Sequence, residues 1–320
     1  MILLDWGRTA GHAPGVAAIF GTGLIGGNAV GALQRNLSHA RLRHMPWDWS
    51  LDTSGQAQQI VQAARNVLEG QGDAVFTTIW AAGRSGFGTD VQGMQDEFAA
   101  LESVVDLALD IGADLPINRR CYIHLSSAGG LFEGQTCCGT DTMPKPLRPY
   151  GEYKLAQEAY IRDCIALGRR HILRPSSVYG YAPGARRGLF AVLIAKALQG
   201  QTATIMGALG TQRDYVFADD IGRFIADLVH DHASDPTSAG LSTSLLVSGR
   251  PATIYEVIGM VRDSSGRPLF VEIDPRPENA RHNTFLRSAL PSGFRPTGLQ
   301  EGIALTVRAV SGERSQGKLI

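Results

Sequence analysis

A chain of 320 residues, 44% of them hydrophobic, can bury a large core and suits one large domain or two closely joined ones. Thirty Lys plus Arg balance thirty Asp plus Glu, so no global charge draws the chain to nucleic acid or to an anionic membrane, and an anionic ligand must be held by local groups. No window reaches the roughly 18 apolar residues of a membrane span, and Cys121, Cys137, Cys138 and Cys164 lack metal-ligand spacing, so they read as free thiols of a reducing cytoplasm with no metal site.

Residues 1–15, MILLDWGRTAGHAPG, lack the basic start and long apolar stretch of a secretory leader and read as a flexible extension or tag scar. The first clear element is 16–20, VAAIF, an apolar run suited to a strand buried on both faces of a parallel sheet. Helix 24–37, strand 40–45, helix 57–68, strand 74–81, helix 95–111, strand 121–125, helix 150–167 and strand 171–174 then alternate. This alternation predicts an α/β fold, a Rossmann-type doubly wound parallel sheet over 16–178 built from right-handed βαβ units. Beyond 178 the texture changes: Gly, Pro and Arg cluster in YGYAPGARRG, helical stretches fall at 189–199 and 220–230, and a Pro/Arg-rich tract runs over 268–296. A smaller, mainly substrate-binding domain is therefore expected over 179–320, with parts of 215–250 completing the first.

Gly21, Gly23 and Gly26 make GxGxxG between a buried strand and a helix opening at Leu24 and Ile25, the context that turns a weak pattern into a dinucleotide cradle. Gly21 permits the turn, Gly23 the approach of a pyrophosphate and Gly26 the packing of helix on strand, while the helix N-terminus offers free N–H groups. About 20 residues on, an acid would hold the ribose hydroxyls of NAD; the sequence there is ARLRHMPWDW, with Arg41, Arg43 and His44 before the first acid, Asp48. Basic residues suit a 2′-phosphate, which leans the choice between NAD and NADP toward NADP; solvated strand-edge charges are the alternative. The run TTIWAAG closes a strand in Ala81, Ala82 and Gly83, small enough for a dinucleotide to lie across it.

Tyr150 and Lys154 in PYGEYKLAQE are four apart and share a helix face, whereas Tyr153 points elsewhere. A phenol is a poor acid or base at neutral pH, and a nearby ammonium favours its phenolate, the arrangement needed to move a proton on and off a carbinol oxygen. Upstream, CYIHLSS ends a strand in Ser126 and Ser127, either of which could orient that oxygen. His124 reads as a packed core histidine; Trp47 and Trp49 could cover an adenine or cap the second strand.

The glycine turn, WAAG at 80–83, LSSAGG at 125–130, PYGEYKLAQE, LRPSSVYG at 173–180 and RDYVFADDIG at 213–222 fall in an order that resembles the extended short-chain dehydrogenase/reductases, and within them the nucleotide-sugar epimerase/dehydratase group, over 16–308. The resemblance implies an NAD(P)-dependent enzyme with Tyr150 as acid/base, Lys154 on the nicotinamide ribose, and Ser127, or failing it Ser126, on the C4 oxygen of the sugar. It adds Pro175 to the cofactor contacts, gives Ser177, Arg213 and Arg276 to the nucleotide diphosphate sugar, and implies a homodimer through helices 95–111 and 150–167. The alternatives for the two arginines are a solvated loop position for Arg276 and an ion pair of Arg213 with Asp214 or Asp219. Dehydratases of the group carry an Asp-Glu pair where this chain has Ala128, Gly129 and Gly130, so dehydration is not expected. A 4-epimerase leads, with an NADPH-dependent 4-keto reductase and a silent cofactor-binding regulator as alternatives.

Overall fold

The computed structural model describes residues 1–9, 11–37, 39–49, 54–236 and 240–315. Its strands are β1 (Ile2–Trp6), β2 (Gly15–Phe20), β3 (Arg41–His44), β4 (Val75–Trp80), β5 (Arg120–Leu125), β6 (Arg169–Pro175), β7 (Ser177–Tyr179), β8 (Thr202–Met206), β9 (Gln212–Arg213), β10 (Tyr215–Phe217), β11 (Leu241–Leu246), β12 (Ala252–Thr253) and β13 (Phe270–Asp274). Its helices are α1 (Leu24–Asn36), α2 (Ser54–Leu68), α3 (Val91–Gly112), α4 (Ala128–Leu131), α5 (Pro149–Asp163), α6 (Leu189–Gln199), α7 (Ala218–Ser234), α8 (Ile254–Ser265) and α9 (Leu299–Ser315).

Seven strands form one sheet in the order β11-β6-β5-β4-β2-β1-β3. β2, β4, β5, β6 and β11 pair in parallel, as the alternation of strands and helices requires. VAAIF and VFTTIW are buried at every position because helices cover both faces of the sheet. Residues of α1 and α7 close one face, and residues of α2, α3 and α5 close the other. A separate core joins α6, α8 and α9 to β8 and β10, forming the smaller lobe. No helix among the described residues is long and apolar enough to cross a membrane.

Residues 2–6 are not part of a flexible extension. They form β1, buried at all five positions and antiparallel to β2 on one side and β3 on the other. Ile2, Leu4 and Trp6 enter the α1/α7 core while Leu3 enters the opposite one, so ILLDW feeds both faces at once. Trp6 also donates from Nε1 to the Ala13 carbonyl at 3.0 Å, which fastens the intervening turn. A five-residue strand followed by GRTAGHAPG has too little periodicity to stand out; its strand character comes from two neighbours supplied by residues 15–20 and 41–44. The consequence is geometric. β3, the second parallel strand of the first βαβ unit, lies one strand further out than a direct neighbour of β2 would, about 4.8 Å.

Candidate active site

The glycine turn closes between β2 and α1 as its sequence requires. Gly21 has φ +89°, and a Cβ there would stand 2.3 Å from the Ala81 carbonyl oxygen; a Cβ on Gly26 would stand 1.8 Å from the Gly21 carbonyl oxygen. Both positions exclude any side chain. Gly23, the N-cap of α1, faces open space, and no side chain caps the turn formed by Leu24, Ile25 and Gly26. An uncapped helix start behind a backbone cradle fits a pyrophosphate. Ala81, Ala82 and Gly83 continue the cradle: the Ala81 amide donates to the Phe20 carbonyl at 2.8 Å, and a Cβ on Gly83 would lie 3.2 Å from Lys154 Nζ.

The adenosine end departs from the expectation. Arg43 is carried on the displaced β3, and its guanidinium sits 3.4 Å from Asp5, whose side chain is almost wholly buried. Asp5 pairs across the sheet with Arg41 and Val16, at the end of β2 away from the glycine turn, so the pair leans away from the cradle. Trp47 and Trp49 stack edge-on with Phe20 and Trp80, capping the strand ends, with Trp49 lining a cavity of about 300 Å³ beside Trp80 and Glu97.

Tyr150 stands in the first turn of α5 and Lys154 one turn later, on the same face, with Nζ 6.0 Å from the phenol ring centre. Lys154 is buried, and Nζ donates to Glu97 Oε1 at 2.7 Å and to Gln157 Oε1 at 3.0 Å. Glu97, on α3, also accepts the amides of Arg84 and Ser85 at 3.0 Å each and the Gln157 side-chain amide at 3.2 Å. Burial alone would raise its carboxyl, but the Lys154 ammonium and the hydrogen bonds from Lys154 and Ser85 hold it down at about 2. Sequence inspection had no signal for Glu97: an acid on a long helix looks like any solvated one until α3 packs on α5. His124 is fully buried, and burial followed by the Lys154 charge pushes its imidazole down to about 3, which leaves it neutral.

The two serines separate cleanly. Ser126 donates to Glu158 at 2.6 Å, and Glu158 is gripped by Arg174 at 2.8 and 2.6 Å, so Ser126 belongs to an internal network. Ser127 is the N-cap of α4, its Oγ accepting the Gly130 amide at 3.1 Å, which leaves its O–H as a donor. A Cβ on Gly130 would fall 2.7 Å from the Tyr150 ring, so the phenol lies directly over α4. Of the three small residues at 128–130, Gly130 is the one that makes room for Tyr150.

Pro175 ends β6, buried against β11, and from it the chain turns into a cavity of about 610 Å³ that Ser177, Arg213 and Arg276 all line. Asp214 is occupied by Ser176, Ser248 and Gly249, while Asp219 pairs with Arg35 and Arg223. Arg213 thus has no carboxylate partner among the described residues; it donates to the Asn279 carbonyl at 3.0 Å, and burial lowers its affinity for its proton. A guanidinium in that state is a prepared anion site. Arg276 is half-exposed and held by Asp274 at 3.0 and 2.9 Å. Sequence reading passed over Phe87 and Arg148. The Phe87 ring is packed edge-on by Tyr150 at 5.7 Å and faced by Arg148 at 5.1 Å and Arg213 at 5.7 Å, joining the phenol to the cavity. Arg148 is gripped by Glu133 at 2.7–3.0 Å, a pairing that only the tertiary structure brings about.

A profile described as the NAD dependent epimerase/dehydratase family matches residues 53–239, more than half of the chain. The chain belongs to that family. The matched segment holds Ser127, Tyr150, Lys154, Ser177 and Arg213; the glycine turn and Arg276 lie outside it. The UDP-glucose 4-epimerase of Mycolicibacterium smegmatis (strain ATCC 700084 / mc(2)155) is 31% identical over 202 residues, a match spanning 59% of this chain and 61% of that protein. Among solved structures, MoeE5 in complex with UDP-glucose and NAD superposes with a TM-score of 0.72 at 22% identity over 94% of this chain and 99% of its own. The Thermus thermophilus UDP-glucose 4-epimerase complex with NAD gives 0.70 at 20% identity over 92% and 99%. At such identities these two establish that the family's fold extends over nearly the whole chain.

Proposed function

We propose that this chain is a nucleotide-sugar 4-epimerase with a nicotinamide dinucleotide as resident cofactor. The observation that carries this reading is the placement of Tyr150 over α4, which Ser127 caps, beside Lys154 and next to a cavity lined by Arg213, whose guanidinium has no ion-pair partner among the described residues. The nicotinamide, when bound, supplies the place where hydride is parked and returned. Tyr150 takes the proton from the C4 hydroxyl and gives it back, and Ser127 donates to the same oxygen and orients it. Lys154 reaches toward the ribose end of the cradle beside Gly83. Arg213, with Arg276 at the rim and Ser177 in the wall, holds the diphosphate, and the cavity leaves the sugar room to present its other face. The family match and the named relatives make UDP-glucose the first substrate to try.

Removing the phenol with Tyr150→Phe tests the assignment. Interconversion of UDP-glucose and UDP-galactose should be lost while cofactor stays bound; unchanged turnover would overturn it, and absence of turnover in the unsubstituted chain with any UDP-sugar would favour a silent cofactor-binding role. An NADPH-dependent 4-keto reductase is kept as the second reading on one observation: β3 ends in Arg43 and His44 with no acid at that strand end. The cofactor released from the purified protein separates the two, tightly held NAD supporting the epimerase and NADPH consumption with a 4-keto sugar the reductase. We also propose a homodimer built on α3 and α5, with light scattering as its test.

A further inference from the structure

Lys154 does not face Tyr150 as a lone cation. Its ammonium is 2.7 Å from a carboxylate that is itself buried, and the other donors on that carboxylate are backbone and amide groups that carry no charge. The remaining charged groups around the phenol are accounted for element by element. From β5, His124 is neutral; from α5 and β6, Glu158 and Arg174 neutralise each other; ahead of α5, Arg148 is paired with Glu133. From α3, the neighbouring Asp96 accepts from Gln92 at the surface, and Arg213 stands beyond the Phe87 ring. Lys154 is thus the cation that faces the Tyr150 ring from its own helix, and Glu97 is the carboxylate paired with it.

We propose that Glu97 is a positioning residue that clamps Lys154 beside Gly83 and cancels most of its field at Tyr150, so that the acid/base cycle operates in a higher pH window than an unpaired lysine would set. A cation about 6 Å from an ionising group displaces its titration by roughly 1–3 pH units, whereas a tight ion pair presents only a dipole. The clamp also ties the loop after β4 to α5, because Arg84 and Ser85 share the same carboxylate. Glu97 thus gives up acidity at Tyr150 for a fixed Lys154.

The inference rests on Tyr150 being the acid/base, and its test is separable from that assignment. Two readouts are taken on the holoenzyme: the pH profile of UDP-glucose turnover, and the phenolate absorbance of Tyr150, obtained as the chain minus its Tyr150→Phe variant. Glu97→Gln keeps the shape and an acceptor oxygen, and should move both transitions to lower pH by about one unit or more. Lys154→Met alone should move the phenolate transition upward, and Glu97→Gln with Lys154→Met should return it to within about half a unit of the unsubstituted chain, because both pairs are then neutral. A Glu97→Gln profile that only loses height, or a double variant well above the unsubstituted chain, would show that Lys154 acts as a free charge and would overturn the proposal. If no UDP-sugar turns over, the phenolate transition still reads the Glu97 effect by itself.

Discussion

The two ends of the proposed cofactor cleft are built on different plans. At the proposed nicotinamide end the parallel strands β4, β5 and β6 stand side by side, and beyond the ends of β4 and β5 Gly83 lies against Lys154 while Ser127 caps the helix under Tyr150. At the adenosine end an antiparallel strand is wedged between β2 and β3, and the basic residue expected to meet the cofactor turns back to Asp5. A parallel sheet places every strand end on one rim, so inserting one reversed strand puts a strand start on that rim and moves the next end outward. Tyr150, Lys154 and Ser127 sit on elements that the inserted strand does not pair with, so their arrangement is independent of the rearranged edge.

The largest effect that would test this contrast is at Tyr150: Tyr150→Phe should lower turnover by on the order of 10²–10⁴-fold with cofactor still bound, measured by steady-state kinetics and cofactor release. Next comes the wedge itself. Leu4→Ala removes a fully buried side chain from β1 and should cost about 2–5 kcal/mol in denaturant unfolding, whereas a flexible extension would tolerate it without change. Arg213→Gln should raise the KM for UDP-glucose by about 10–100-fold with little change in cofactor affinity, since it removes the charge-assisted bonds proposed to hold the substrate diphosphate. Arg276→Gln, already half-satisfied by Asp274, should do less.

A smaller effect concerns acid. The Glu97 carboxyl is held at about 2, below its ordinary 4.5, so its contribution to stability is fully present above pH 4.5 and is lost as pH falls toward 2. Unfolding followed between those values should be less steep in Glu97→Gln. The smallest effect is expected from Arg43→Ala, which should change NAD or NADP affinity by less than about twofold, because the side chain serves a partly exposed ion pair. A large loss of NADP affinity in that variant would restore β3 as the adenosine site and erase the contrast between the two ends.

Between residues 16 and 175 nearly every element, and beyond them α6 and α7, was legible in the sequence, because a period or a punctuating residue marks them. The buried runs of β2 and β4, the glycine turn and the helices α1, α3 and α6 lie within a few residues of their expected bounds because strand burial and helical spacing are local patterns. The helix expected over 150–167 ends instead at Asp163, followed by a short 3₁₀ turn at Ile165–Leu167, where Gly168 takes a positive φ. In the smaller lobe β8, β13, α8 and α9 were not legible, and in the large sheet neither were β1 and β11: one is five residues long before a turn-rich segment, and the other, LSTSLL, is exposed over its first half. Each of these two is a strand because of what it pairs with.

By itself the sequence determined the order of βαβ units, the glycine cradle, the helical pairing of Tyr150 with Lys154 and the absence of an acid pair after the serines, all consequences of residue type at short range. Only the tertiary structure decided that Ser126 turns inward and Ser127 caps α4, that Gly130 is there to seat the phenol, and that Arg213 lines its cavity without an ion-pair partner among the described residues. It alone placed Glu97 against Lys154 across 57 residues and slid β1 between two strands of the sheet. These facts depend on which distant surfaces meet, and short-range spacing carries no information about that.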